Sequence, residues 1–194
     1  ADEASVYIGI ETLKDSAESS KNENSLLINR VLTSLQANDI NKENIETSSY
    51  NIYPEYDYTQ NGQKLKGYKT VNILKIKTKD FAIIGKIVDV GINAGATNIQ
   101  SINFELSQEK QNQIKVEAIS KASEDAKIKA QATAQGLNSK LGKVSSVTVS
   151  DYRYFPRPYY RAESGIAVKE ALATEILPGN LEVRANVNVV FELE

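Results

Sequence analysis

The stretch Gln108–Gly142, reading QEKQNQIKVEAISKASEDAKIKAQATAQGLNSKLG, decides the fold. It carries the longest helical pattern in the chain and separates a β-rich front half from a β-rich tail. Ile114, Ala118, Ala122, Ala126, Ala130 and Ala134 recur every fourth residue, on one slowly drifting helical face. Ile119 widens the stripe, and Leu137 and Leu141 follow it. The opposite face holds Lys, Glu, Asp, Gln and Ser, so the helix is amphipathic. Alanine loses no side-chain entropy in a helix and leaves a thin face that a neighbour can approach closely. Gly136 with Leu137 reads as a cap, the glycine in a left-handed conformation. From Glu109 to Gln135 the helix would run about 40 Å at about 1.5 Å per residue. Its apolar face either lies across a sheet of the same chain or forms a seam between subunits.

Upstream, Ala4–Thr12 alternates as a half-buried strand, with Val6, Ile8 and Ile10 on one side and Ser5, Tyr7 and Gly9 on the other. Ser16–Ala37 is helical, with Leu27, Ile28, Val31, Leu32 and Leu35 at core spacing and a polar, exposed first turn or two. Asn38, Asp39 and Asn41 break it. Glu46–Tyr58 is a long strand, and Pro54 marks an edge or a bulge there because it cannot donate to a ladder. Asn61-Gly62 signals a hairpin, and Lys64–Thr78 returns as its partner. A second helix begins at Asp80, buries Phe81, Ile84, Ile87, Val88 and Ile92, and stops at Gly95. Asn98–Leu106 is a strand with Ile102, Phe104 and Leu106 on one side and Ile99 on the other. The order strand, helix, strand, strand, helix, strand is the split βαβ pattern, an antiparallel sheet with two helices on one face. After the central helix come a strand over Lys143–Ser150 and the strictly alternating strand Leu181–Leu193. The fold class is therefore α+β, with a βαββαβ subdomain over 1–107 and a subdomain of long helix plus antiparallel strands over 108–194.

Composition limits the chemistry. The chain has 194 residues, 41% hydrophobic and 25% charged, with 23 basic and 25 acidic residues spread evenly. That suits one domain or two small subdomains sharing a core. A net charge of −2 without a basic stripe argues against nucleic-acid binding. The absence of His and Cys removes the usual general base, the thiol nucleophile and most transition-metal ligands. No apolar run approaches the roughly 20 residues that span a bilayer. A phosphate-binding glycine loop, a nucleophile elbow and a Rossmann fingerprint are all missing from the sequence. No catalytic residue, cofactor or metal site is expected. Glu55 with Asp57, and Glu124 with Asp125, are read as solvated carboxylates.

Two stretches invite an interaction. Tyr152–Arg161, YRYFPRPYYR, packs four tyrosines, three arginines, a phenylalanine and two prolines into ten residues. Pro156 and Pro158 keep it out of a central strand. Tyrosine and arginine dominate interface hot spots, since they bury large area with few rotors. Tyr152, Arg153, Tyr154, Phe155, Arg157, Tyr159, Tyr160 and Arg161 are therefore candidates for a partner surface. A hairpin covering its own sheet, or a loop holding a glycan, peptide or anionic ligand, uses the same residues. The tract from Gly165 to Asn180 reads as loosely structured, with a helical turn or two over Ile166–Leu172. Tyr50, Tyr53, Tyr56, Tyr58 and Tyr68 make a second aromatic group on the hairpin, where alternation places Tyr50, Tyr56 and Tyr58 on one face.

Several of these features recur in order in one family. They are the hairpin with Tyr56-Asp57 and Gly67-Tyr68, the turn from Gly91 to Ile99 with Gly95-Ala96, and Phe104. The alanine-rich helix with Ala126 and Lys129-Ala130, Gly136, Leu141-Gly142 and finally Pro178-Gly179 complete the series. Together they resemble the SIMPL-domain family of bacterial periplasmic immunogenic and oxidative-stress-associated proteins, which has archaeal members. The resemblance covers nearly the whole chain. It implies a non-enzymatic α+β protein of the periplasm, cell envelope or exterior, made with a signal or lipid anchor removed upstream of Ala1. It also implies homo-oligomers, in some members large rings or channel-like bodies. Family members usually carry one more strand ahead of the position of Ala1, and contacts through that strand would fall outside this sequence.

Overall fold

The structure is a computed structural model that describes residues 1–59, 62–154 and 181–194, with residues 59 and 151–154 described in backbone only. In chain order its elements are β1 (Glu3–Lys14), α1 (Ala17–Ala37), β2 (Ile45–Thr59), β3 (Gly62–Thr78), α2 (Ile84–Ala94), β4 (Asn98–Glu105), α3 (Gln108–Gly136), β5 (Leu141–Tyr154) and β6 (Val183–Leu193). They fall into two compact units, residues 1–105 and residues 106–154 with 181–194.

The first unit is a four-stranded sheet in the order β2-β3-β1-β4, with every neighbouring pair antiparallel. Ala4, Val6, Ile8 and Ile10 of β1 point at the helices and pack with Val31 and Leu35 of α1 and Ile84 and Ile87 of α2. The βαββαβ expectation holds. Ser16 caps α1 by accepting from the Ser19 amide, and Asp80 caps the turn ahead of α2 by accepting from the Ala82 amide. Gly95 ends α2 at φ 115°, a left-handed residue where a side chain would be strained.

Four local expectations need correction. The first turns of α1 are polar but not wholly exposed, because Ser20 and Asn24 are buried against the sheet. The Ser20 hydroxyl donates to the Thr12 carbonyl at 3.0 Å and shares a 2.8 Å bond with the Thr70 hydroxyl. The Asn24 amide donates to the Ile10 carbonyl at 2.9 Å. In α2, Ile92 is exposed, and Gly91 and Ala94 take the inner positions. A Cβ at Gly91 would sit 2.7 Å from Ile8 Cδ1, so the glycine sets how closely α2 approaches the sheet. In β4, a bulge against Tyr7 and Ile8 turns Ile99 onto the same face as Ile102 and Phe104. In α3, Gly136 lies within the helix, and the left-handed residue after it is Asn138, with φ 58°.

The outer face of β1 is also more covered than expected, with Ser5 and Gly9 buried and Tyr7 and Glu11 half-buried. Ser5 lies between Lys77 and Asn103 in the ladder, and Gly9 is covered by Asn98, whose Oδ1 would meet a Cβ there at 2.1 Å. A central strand flanked by long side chains has its small outer residues covered.

Candidate interaction surface

The second unit is one helix on two strands. β5 and β6 pair antiparallel, with Val144 opposite Phe191, Val147 opposite Val189 and Val149 opposite Val187. Cross-strand partners share a face, so these valines lie on the same side as the inward residues of β6. On β6 that side is half-buried. On β5 it is open: Val144, Val147 and Val149 are 53%, 56% and 48% exposed. The alanine stripe of α3 is half-buried along Ala118, Ala122, Ala126 and Ala130, and only Ala134 is closed to solvent. Val116 and Ile128, elsewhere on the helix, are largely exposed.

This unit therefore has little core of its own. Thirteen buried apolar residues make a single cluster in the first unit, whereas among the described residues of the second only Ala134 and Leu106 are buried apolar residues. A two-stranded sheet is marginal in water, and at least a third strand or further packing is needed to stabilise it. The helix keeps its length through local devices instead. The Ser107 hydroxyl accepts from the Lys110 amide, and Glu117–Lys121 at 2.7 Å and Asp125–Lys129 at 2.6 Å pair one turn apart. The Glu117 carboxyl is held below its ordinary range by its hydrogen bond to Lys121.

Of the residues singled out in sequence, Tyr152, Arg153 and Tyr154 continue β5, with Arg153 opposite Arg184 and Tyr154 opposite Val183. The strand thus runs four residues beyond its expected end. Phe155, Arg157, Tyr159, Tyr160 and Arg161 lie outside the described residues, as does the tract from Gly165 to Asn180.

The hairpin tyrosines form a second surface, in the first unit. β1 pairs with β3 only as far as Lys14 opposite Tyr68, so the β2–β3 hairpin continues beyond the sheet as a two-stranded arm. Tyr50 opposite Asn72, Ile52 opposite Thr70, Tyr56 opposite Leu65 and Tyr58 opposite Gln63 share the side that faces the helices farther back. The expected grouping of Tyr50, Tyr56 and Tyr58 is correct, since the bulge beside Glu55 inserts Lys66 into β3 and leaves the alternation of β2 intact. All three are exposed, Tyr58 by 83%. Glu55 pairs with Lys66 at 3.2 Å on the arm. Among the described residues no group of three acidic side chains is placed to hold a metal ion, and no helix is long and apolar enough to cross a membrane.

Sequence reasoning missed the exposed valines of β5. Alternation revealed an apolar face on each strand. It could not reveal that α3 covers that face on one strand better than on the other.

Comparison with known proteins is consistent with these observations. The model of the SIMPL family, described as a protein of unknown function (DUF541), matches residues 1–191. The uncharacterized protein YggE of Escherichia coli K12 is 26% identical over 193 residues, which is 100% of this chain and 78% of that protein. The 26 kDa periplasmic immunogenic protein of Brucella melitensis biotype 1 is 25% identical over 178 residues, 88% of this chain and 70% of that protein.

Proposed function

The chain belongs to the SIMPL family, and from that premise we propose that it is a self-associating, non-enzymatic structural or interaction protein working outside the cytoplasm. The observation that carries the reading is the half-covered apolar face of the α3–β5–β6 unit. Val144, Val147 and Val149 stand exposed beside a helix and a two-stranded sheet that have almost no buried core. Such a unit gains most from a second surface that excludes water from it, at roughly 25 cal/mol per Å² of apolar area removed. The extracytoplasmic placement draws on the periplasmic name of the Brucella relative. The non-catalytic reading draws on the residue inventory, which has neither His nor Cys. A role in stress rests on the family resemblance.

Light scattering across a concentration series tests self-association. The expected result is a mass that is a multiple of 21.4 kDa, reduced by Val147→Asp with Val149→Asp. A fixed monomer mass at high concentration would reject the reading.

A further inference from the structure

β6 is bonded to β5 along one edge, and among the described residues no strand occupies the other. An open groove of about 660 Å³ lies between α3 and β6. Ile114, Ala118, Ala122, Val183 and Ala185 give it a small apolar lining, and Glu117, Lys121 and Asp125 of α3 add charge to it. Arg184 and Asn186 also line it, and they belong to the solvent-facing side of β6. The groove therefore wraps around the edge of the strand. An unpaired edge is a template for an added strand, and a groove beside it can take that strand's alternate side chains.

We propose that the added strand is β6 of a second copy, running antiparallel about a twofold axis at Asn188. This inference rests on the self-association reading above and adds to the valine face of β5 a second contact, at the free edge of β6, with a defined register. Residues 183, 185, 187, 189 and 191 face inward and residues 184, 186, 188, 190 and 192 face outward. A one-residue slip would place apolar residues beside polar ones, so only registers that keep the inward face continuous are available. Centring on Asn188 pairs the whole of β6, with Val183 opposite the partner's Leu193. It places Arg184 opposite the partner's Glu192, and by symmetry does so twice. It also sets Ala185 opposite the partner's Phe191, a small residue against a large one, beside the space that Ala118 and Ala122 leave in the groove. Moving the axis to Val187 sets Arg184 opposite the partner's Val190 and leaves Glu192 and Leu193 without a partner in β6; at Asn188 the like charges Glu182 and Glu194 meet only beyond the strand ends. Moving it to Val189 leaves Val183 and Arg184 without a partner in β6, Arg184 then meeting Glu194 beyond the end of the strand. Arg184 is well exposed and bonds Glu182 of its own chain at 2.8 Å, so its fork can take a second carboxylate.

The absence of cysteine makes the register directly testable. At the axis the two copies of residue 188 would be about 4.5–5.5 Å apart between Cα atoms, within disulfide range. Asn188→Cys should give a covalent dimer on mild oxidation, whereas Asn186→Cys, also exposed, should not. Arg184→Glu should weaken the dimer about tenfold, on the scale of a close charge pair turned repulsive, and adding Glu192→Arg should restore it. An assembly of unchanged mass that links at neither position, or links at 186 instead, would overturn this register and leave self-association standing. A monomer by light scattering would overturn both.

Discussion

Asn24 and Glu11 show what single residues do in this fold. Asn24 sits under the first turns of α1, 1% exposed, with its amide on the Ile10 carbonyl. Ser20, Thr12 and Thr70 continue a polar seam between helix and sheet. Replacing Asn24 by Ala would leave that carbonyl without its side-chain donor, and should cost about 1–3 kcal/mol in denaturant unfolding. On the other face of the sheet, Lys69 holds the Glu11 carboxyl below its ordinary range, chiefly by a direct hydrogen bond, with Asn98 adding a further donor. The same bond raises the Lys69 ammonium. A lowered carboxyl contributes stability that is fully present above the ordinary carboxylate value and is lost as pH falls through the lowered one. A raised ammonium contributes stability present below the ordinary lysine value and lost as pH climbs through the raised one. Both contributions operate together at neutral pH. Glu11→Gln should thus destabilise the protein by at most about 1 kcal/mol at pH 7 and have little effect near pH 2, read from unfolding curves at the two pH values.

The two units differ most at the level of elements. The βαββαβ sheet was legible in the sequence because each element carried its own signal: Ser16 and Asp80 as helix starts, Gly95 as a stop, Pro54 at an edge or bulge. The features that escaped depend on tertiary neighbours. Ser20 and Asn24 look like surface residues until Thr12, Thr70 and Ile10 are placed beneath them. Ile99 changes sides only because a bulge lies opposite Tyr7. The candidate surface was legible in part: the hairpin tyrosines cluster as their alternation requires, while the openness of Val144, Val147 and Val149 depends on how far α3 reaches across β5. For these valines the account makes a prediction at the same scale. Val147→Ser with Val149→Ser should barely change unfolding at low concentration, since the side chains are already half-exposed. It should also remove most of the rise in Tm with protein concentration, because that rise comes from association.

At the scale of the whole molecule, one unit has a closed apolar core and the other displays its apolar residues to solvent. A chain built this way is expected to complete its weaker unit against another surface, and the β6 edge, with Arg184 and Glu192 symmetrically placed about Asn188, suits a copy of itself. The most direct measurement is solution mass by multi-angle light scattering over a hundredfold range of concentration. The account predicts a closed oligomer, a fixed multiple of the 21.4 kDa chain that persists on dilution and shrinks when Arg184 is replaced by Glu. A mass equal to one chain throughout that range would contradict it.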